Sequence, residues 1–147
     1  MRLAAGPVDF RHLQGVEHRA RMTKWFFATN REGAHGKKYT SGKNLNYLIN
    51  DVHRELDQSE SKEVNRIIDL FVPMKTQHAE VVATVYSAWN DLLLDGKSPS
   101  DEEIVQEARE NWTLEKMEID RSHFFSTITW LRKHNLVPKG SGKHTIQ

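Results

Sequence analysis

Apolar residues recur at every third or fourth position through most of this chain, and capping residues cut the pattern into helix-length pieces. That combination restricts the chain to a mainly helical fold with room for little sheet. Asp9 is suited to capping a first helix with the stripe Phe10, Leu13, Val16 and Ala20, although Gly15 interrupts it. Leu45, Leu48, Ile49, Val52 and Leu56 make a second stripe. Asp57 and Glu60 have capping-box spacing ahead of a third, which is expected to bury Val64, Ile67, Ile68 and Phe71 and to end at Pro73. Thr76 is expected to cap the longest helix, 77–94, which carries Ala79, Val82, Val85, Tyr86, Trp89 and Leu93, with Gly96 closing it.

The last third is punctuated most clearly. Ser100 and Glu103 form a second capping box before Ile104, Val105, Ala108 and Trp112. Asp120 precedes the stripe Phe124, Phe125, Ile128 and Leu131. Asn135 suits a left-handed cap, Leu136 can pack back on the last turn, and Pro138 prevents continuation. One departure from helical periodicity stands out. Trp25–Thr29 and Lys37–Thr40 read as two strands joined by a loop containing Gly33 and Gly36, the layout of a basic wing. The expected fold is therefore a helical bundle with winged-helix-like elements and one short β-hairpin. Residues 1–56 form the helix-plus-hairpin part and 57–147 the winged-helix-like part of one compact unit.

Composition narrows the class. With 37% hydrophobic and 9% aromatic residues among 147, the chain can fill a core. It has no cysteine, which excludes disulfides and thiolate metal sites and fits a reducing cytoplasm. No segment reaches the roughly 20 apolar residues of a membrane helix, and the first residues lack the apolar run of a signal peptide. A membrane is not an expected partner.

The net charge of +1 hides segregation along the chain. Residues 1–54 hold ten Lys/Arg against four Asp/Glu, or +6; residues 55–114 hold five against thirteen, or −8; residues 115–147 hold six against three, or +3. Two basic ends flank an acidic middle, a distribution that suits a polyanionic partner.

Catalytic motifs are missing. Neither GxGxxG nor GxxxxGK[ST] occurs, and Gly140-Ser141-Gly142-Lys143 has no helix behind it to present amides to a phosphate. The eight histidines are dispersed: His12 and His18, six apart, fall on different helical faces, and no HExxH occurs. Ser41, Ser59, Ser61, Ser98 and Ser100 lie in turns or caps, outside any G-x-S-x-G elbow. Asp101, Glu102 and Glu103 favour a helix amino end electrostatically. The expectation is no catalysis, cofactor, metal or small-molecule substrate.

What remains is a binding constellation. The last helix carries Arg121, Arg132 and Lys133, and a glycine-rich, flexible tail with Lys139 and Lys143 follows. A recognition helix leading into a basic wing would have this form. The N-terminal hairpin, with Arg31, His35, Lys37, Lys38 and Lys43, is a second candidate wing. Double-stranded DNA is the expected partner of these cations. Trp89 and Trp112 lie on buried stripes, whereas Trp130 falls slightly off its stripe and is a candidate interface residue.

Ala4-Ala5-Gly6-Pro7-Val8-Asp9, the block Ala79 to Leu93, Asp101 to Glu107 with Asn111-Trp112, and Trp130 to Gly140 together resemble a helical domain appended to bacterial restriction–modification proteins, chiefly at the C-terminal ends of type I systems. The opening is also similar to part of the SocA-like antitoxin (Panacea) domain, in which the Gly-Pro follows helices not present here. The resemblance implies a fragment of a longer protein with Met1 an added start, and it carries over no catalytic residue. It implies an accessory domain of a restriction–modification protein in bacterial defence, contacting DNA through its basic ends. The alternatives are docking or dimerisation between restriction–modification subunits, and antitoxin-like regulation.

Overall fold

Helices form where a cap and an apolar stripe coincide. The computed structural model describes residues 2–3, 6–7, 9–32 and 36–145. The element order is β1 (Arg2–Leu3), β2 (Gly6–Pro7), α1 (Phe10–Thr23), β3 (Phe26–Asn30), β4 (Lys37–Ser41), α2 (Leu45–Glu55), α3 (Gln58–Phe71), α4 (Thr76–Leu94), α5 (Asp101–Val105) and α6 (Arg121–Lys133). A π-helical turn (Gln106–Glu110) and a 3₁₀ turn (Leu114–Glu118) connect α5 to α6. The fold is mainly helical, as its periodicity requires. Among the described residues no helix is long and apolar enough to cross a membrane.

The caps are those the residue types dictate. Asp9 accepts the His12 amide, Asp57 and Ser100 each complete a capping box, and Asp120 accepts the Ser122 amide. Gly96 and Asn135 adopt left-handed conformations past α4 and α6, and the Leu136 amide returns to the Leu131 carbonyl at 2.9 Å. Two details differ from expectation. Lys75 holds the N-cap position of α4, so Thr76 is its first residue. The stripe Ile104 to Trp112 is not one α-helix: the Asn111 amide reaches five residues back to Gln106, and this wider turn begins where α5 ends.

The chain divides into two compact units, residues 1–8 with 73–147, and residues 9–72. The division falls after Val72 rather than at 56, so α3 groups with the N-terminal helix and hairpin.

The first unit holds the core. α4 contributes Val82, Val85, Ala88, Trp89 and Leu92, α5 and the π turn contribute Ile104, Val105 and Ala108, and α6 contributes Phe124, Ile128 and Leu131. Trp112 is buried beside them, as its stripe predicts. β1 and β2 pair antiparallel, Leu3 opposite Gly6. Gly6 has φ +99°, and a Cβ there would lie 3.4 Å from Thr84 Oγ1 on α4, so chain geometry favours glycine. No strand follows α6 among the described residues, so the C-terminal wing is not formed there. The expected flexible tail is instead tied down. Asn90 Oδ1 accepts the Gly140 and Ser141 amides at 3.1 and 3.2 Å, Asn90 Nδ2 donates to the Ser141 carbonyl, and the Thr145 amide reaches Asp91 at 3.0 Å.

The second unit forms its hairpin as expected, with β3 and β4 antiparallel and Ala28 opposite Tyr39. Gly33 and His35, expected in its loop, lie outside the described residues. Where α1 ends, Lys24 is left-handed at φ 60° and the chain crosses itself: the Gly42 amide donates to the Trp25 carbonyl at 2.8 Å and the Asn44 amide to the Lys24 carbonyl at 3.0 Å. A Cβ on Gly42 would lie 2.2 Å from that Lys24 oxygen, which leaves no space for a side chain. The expected burial of the stripes does not occur. Ala20 is the one buried residue among the described residues of 9–72. α2 and α3 bury none, and Val52, Val64 and Ile68 remain 42%, 43% and 50% exposed.

Candidate binding surfaces

Acids and bases that lie far apart along the chain meet in the first unit. Asp101, at the start of α5, binds the Arg132 guanidinium through both oxygens at 2.8 and 2.5 Å. The same guanidinium lies 5.3 Å from the centre of the Trp89 ring. Arg132 holds the Asp101 carboxyl below its usual range, against partial burial that pushes it up. Arg121 bridges Glu102 at 3.0 Å and Glu110 at 3.2 Å. Lys116, fully buried, pairs with Glu80 on α4. Part of the charge that is segregated along the sequence is paired in the fold.

The second unit shows the same habit. Glu17 on α1 receives the Lys37 ammonium and, at 2.7 Å, the Tyr39 hydroxyl. First Lys37 and then Tyr39 hold the Glu17 carboxyl below its usual range.

The nine cations expected to contact DNA therefore fall into two groups. Lys37, Arg121 and Arg132 are engaged in ion pairs. Arg31, Lys38, Lys43, Lys133, Lys139 and Lys143 are exposed and make no ion pair among the described residues. Arg31, Lys38 and Lys43 belong to the second unit, while Lys133, Lys139 and Lys143 belong to the first.

Trp130 is half-buried, as its place off the α6 stripe implies. His134 lies against it with ring centres 4.5 Å apart, and His78 of α4 meets it edge-on at 6.2 Å. Beside these rings a cavity of about 380 Å³ opens between the first turns of α4 and the face of α6. Val81, Ile119 and Trp130 form its apolar wall; Lys75, His78 and His123 supply cationic or protonatable groups. No carboxylate of the described residues lines it. Sequence reading missed this site because its residues come from three separate segments, each locally unremarkable. The one signal was Trp130 itself. No group of His, Asp and Glu placed to hold a metal occurs among the described residues.

Comparison with protein-family models, with curated proteins and with solved structures finds no match.

Proposed function

We propose that the chain acts by binding rather than by catalysis, and that the second unit is a protein-docking module whose occupant is a second copy of the chain. One observation carries this reading. A 64-residue unit with Ala20 as its one buried described residue keeps amphipathic helices whose apolar sides face water. Such exposure is costly at about 25 cal/mol per Å² of apolar surface, and it characterises surfaces covered on association.

Charge supports self-association. Within the unit, residues 9–54 hold nine Lys/Arg against four Asp/Glu, or +5, and residues 55–72 hold two against five, or −3. A two-fold interface in which residues 9–54 of one copy meet residues 55–72 of the other matches these opposite charges twice. Sedimentation equilibrium of the full chain tests this. A species of twice the 17.1 kDa chain mass is expected, and Ile67→Glu on α3 should return it to the monomer. A wild-type monomer at all concentrations refutes the reading.

A second reading is contact with DNA as an accessory domain of a cytoplasmic restriction–modification protein. Its support is the set of exposed cations that make no ion pair among the described residues, Arg31, Lys38, Lys43, Lys133, Lys139 and Lys143, together with the sequence resemblance. Duplex binding that weakens steeply with salt is its signature. Antitoxin-like regulation rests on the N-terminal resemblance alone and would require co-purification with a toxin.

A further inference from the structure

We infer that the cavity beside Trp130 binds a small planar aromatic anion, its ring against Trp130 and Val81 and its negative group among Lys75, His78 and His123. The site lies wholly within the first unit and does not depend on the docking reading.

Size comes first. Small-ligand pockets commonly run from about 300 to 1,000 Å³, and about 380 Å³ accommodates a one- or two-ring compound with an anionic substituent. The wall is suited to a flat ring. Indoles stack well on planar π systems, and Trp130 is steadied by His134, the residue just past α6, and by His78 on α4. An apolar wall with a few convergent polar groups distinguishes a ligand pocket from a surface dent.

Charge selects the sign of the ligand. Among the described residues, the lining contains one lysine, two histidines and no carboxylate. Asp120, next to this rim, is a carboxylate that accepts the Ser122 amide and hydroxyl at 2.8 and 2.5 Å and also attracts His123, so the positive potential of the site rests chiefly on Lys75 and His78. The rim also contains the amino end of α4, a 19-residue helix with no acidic residue in its first turn and no side-chain cap from Lys75. Its amides add positive potential to that of the side chains. Exposed Ser126 and Gln77 offer further hydrogen bonds. A neutral ring would leave the polar groups of the rim unused.

Two probes cover the two sources of such a group: adenosine 5′-monophosphate for nucleotides and indole-3-acetate for aromatic acids. Titration calorimetry of the full chain should show saturable binding of at least one, at submillimolar concentration. Adenosine and inorganic phosphate should each bind about tenfold or more weakly than the nucleotide if that is the probe taken, since each lacks half of the recognition. Should the acid be the one taken, indole should bind correspondingly weakly. Lys75→Gln, at an exposed position, should weaken the anion about fivefold or more while leaving its neutral analogue unchanged. Trp130→Leu should abolish binding, and Trp130→Phe should retain part of it; circular dichroism checks that both remain folded. Absence of saturable binding by both probes overturns the inference, as does binding indifferent to both Lys75→Gln and Trp130→Leu. Equal affinity for an anion and its neutral analogue overturns the assignment of charge.

Discussion

Lys116 is buried to 1% exposure and pairs with Glu80, thirty-six residues earlier on α4, whose side chain keeps 25% of its surface in water. The two partners are unequal. Glu80→Ala strands an ammonium without its counter-charge, and a cost of about 3–5 kcal/mol is expected. Lys116→Met fills the same channel and leaves a carboxylate that can turn to solvent, so it should cost under about 1.5 kcal/mol. Urea unfolding of the two variants gives the comparison. Equal losses would show that the pair is not asymmetric in this way.

Asp101 and Arg132 make a pH prediction. The folded-state carboxyl pKa of Asp101 is depressed by Arg132, so the pair's contribution is present above the unfolded-state value, near 3.9, and is lost as pH falls through the folded one. Both side chains are more than 40% exposed, and screening limits the contribution to under about 1 kcal/mol. Asp101→Asn should therefore lower stability slightly at neutral pH and flatten its acid dependence. An unchanged acid limb in the variant would mean that Asp101 does not contribute.

The tail supplies a third test. Asn90 holds Gly140 and Ser141 by three hydrogen bonds, and a Cβ on Gly140 would lie 3.0 Å from Leu93 Cβ. Asn90→Ala should cost about 1–2 kcal/mol and expose residues 139–145 to proteolysis. Cleavage at the wild-type rate would show that these bonds do not restrain the tail.

Under the DNA reading, Lys133, Lys139 and Lys143 should each contribute to the salt dependence of duplex affinity. Neutralising all three should reduce the log–log slope by up to about 2.7, at about 0.9 per phosphate contact. Arg132→Gln should have less effect on the slope, since Asp101 already holds that guanidinium. Binding without salt dependence, or no binding at low salt, removes this reading.

The helices were legible because their signals are local. Asp57 with Glu60 and Ser100 with Glu103 close their own capping boxes within one turn, and Asn135 needs only its own backbone to adopt φ 54°. What a stripe packs against is not local. Val82 and Val64 sit on similar patterns, yet Val82 is 1% exposed and Val64 is 43% exposed. Ion pairing was illegible for the same reason: Asp101 and Arg132 are thirty-one residues apart, so counting charge by segment did not show that three of the nine candidate cations are already held by carboxylates. The tail misled because glycines at 140 and 142 signal freedom, while the partner that restrains it, Asn90, lies on another helix. Trp130 was identifiable as unusual but the cavity beside it was not, since α4 and α6 meet only in three dimensions.

Amide hydrogen exchange of the full chain as a function of its concentration tests the central claim, that the second unit completes itself on another copy. Protection in α2 and α3 should rise with concentration, while amides of α4 and α6 in the first unit keep constant rates. Exchange in α2 and α3 that is fast and independent of concentration would contradict it.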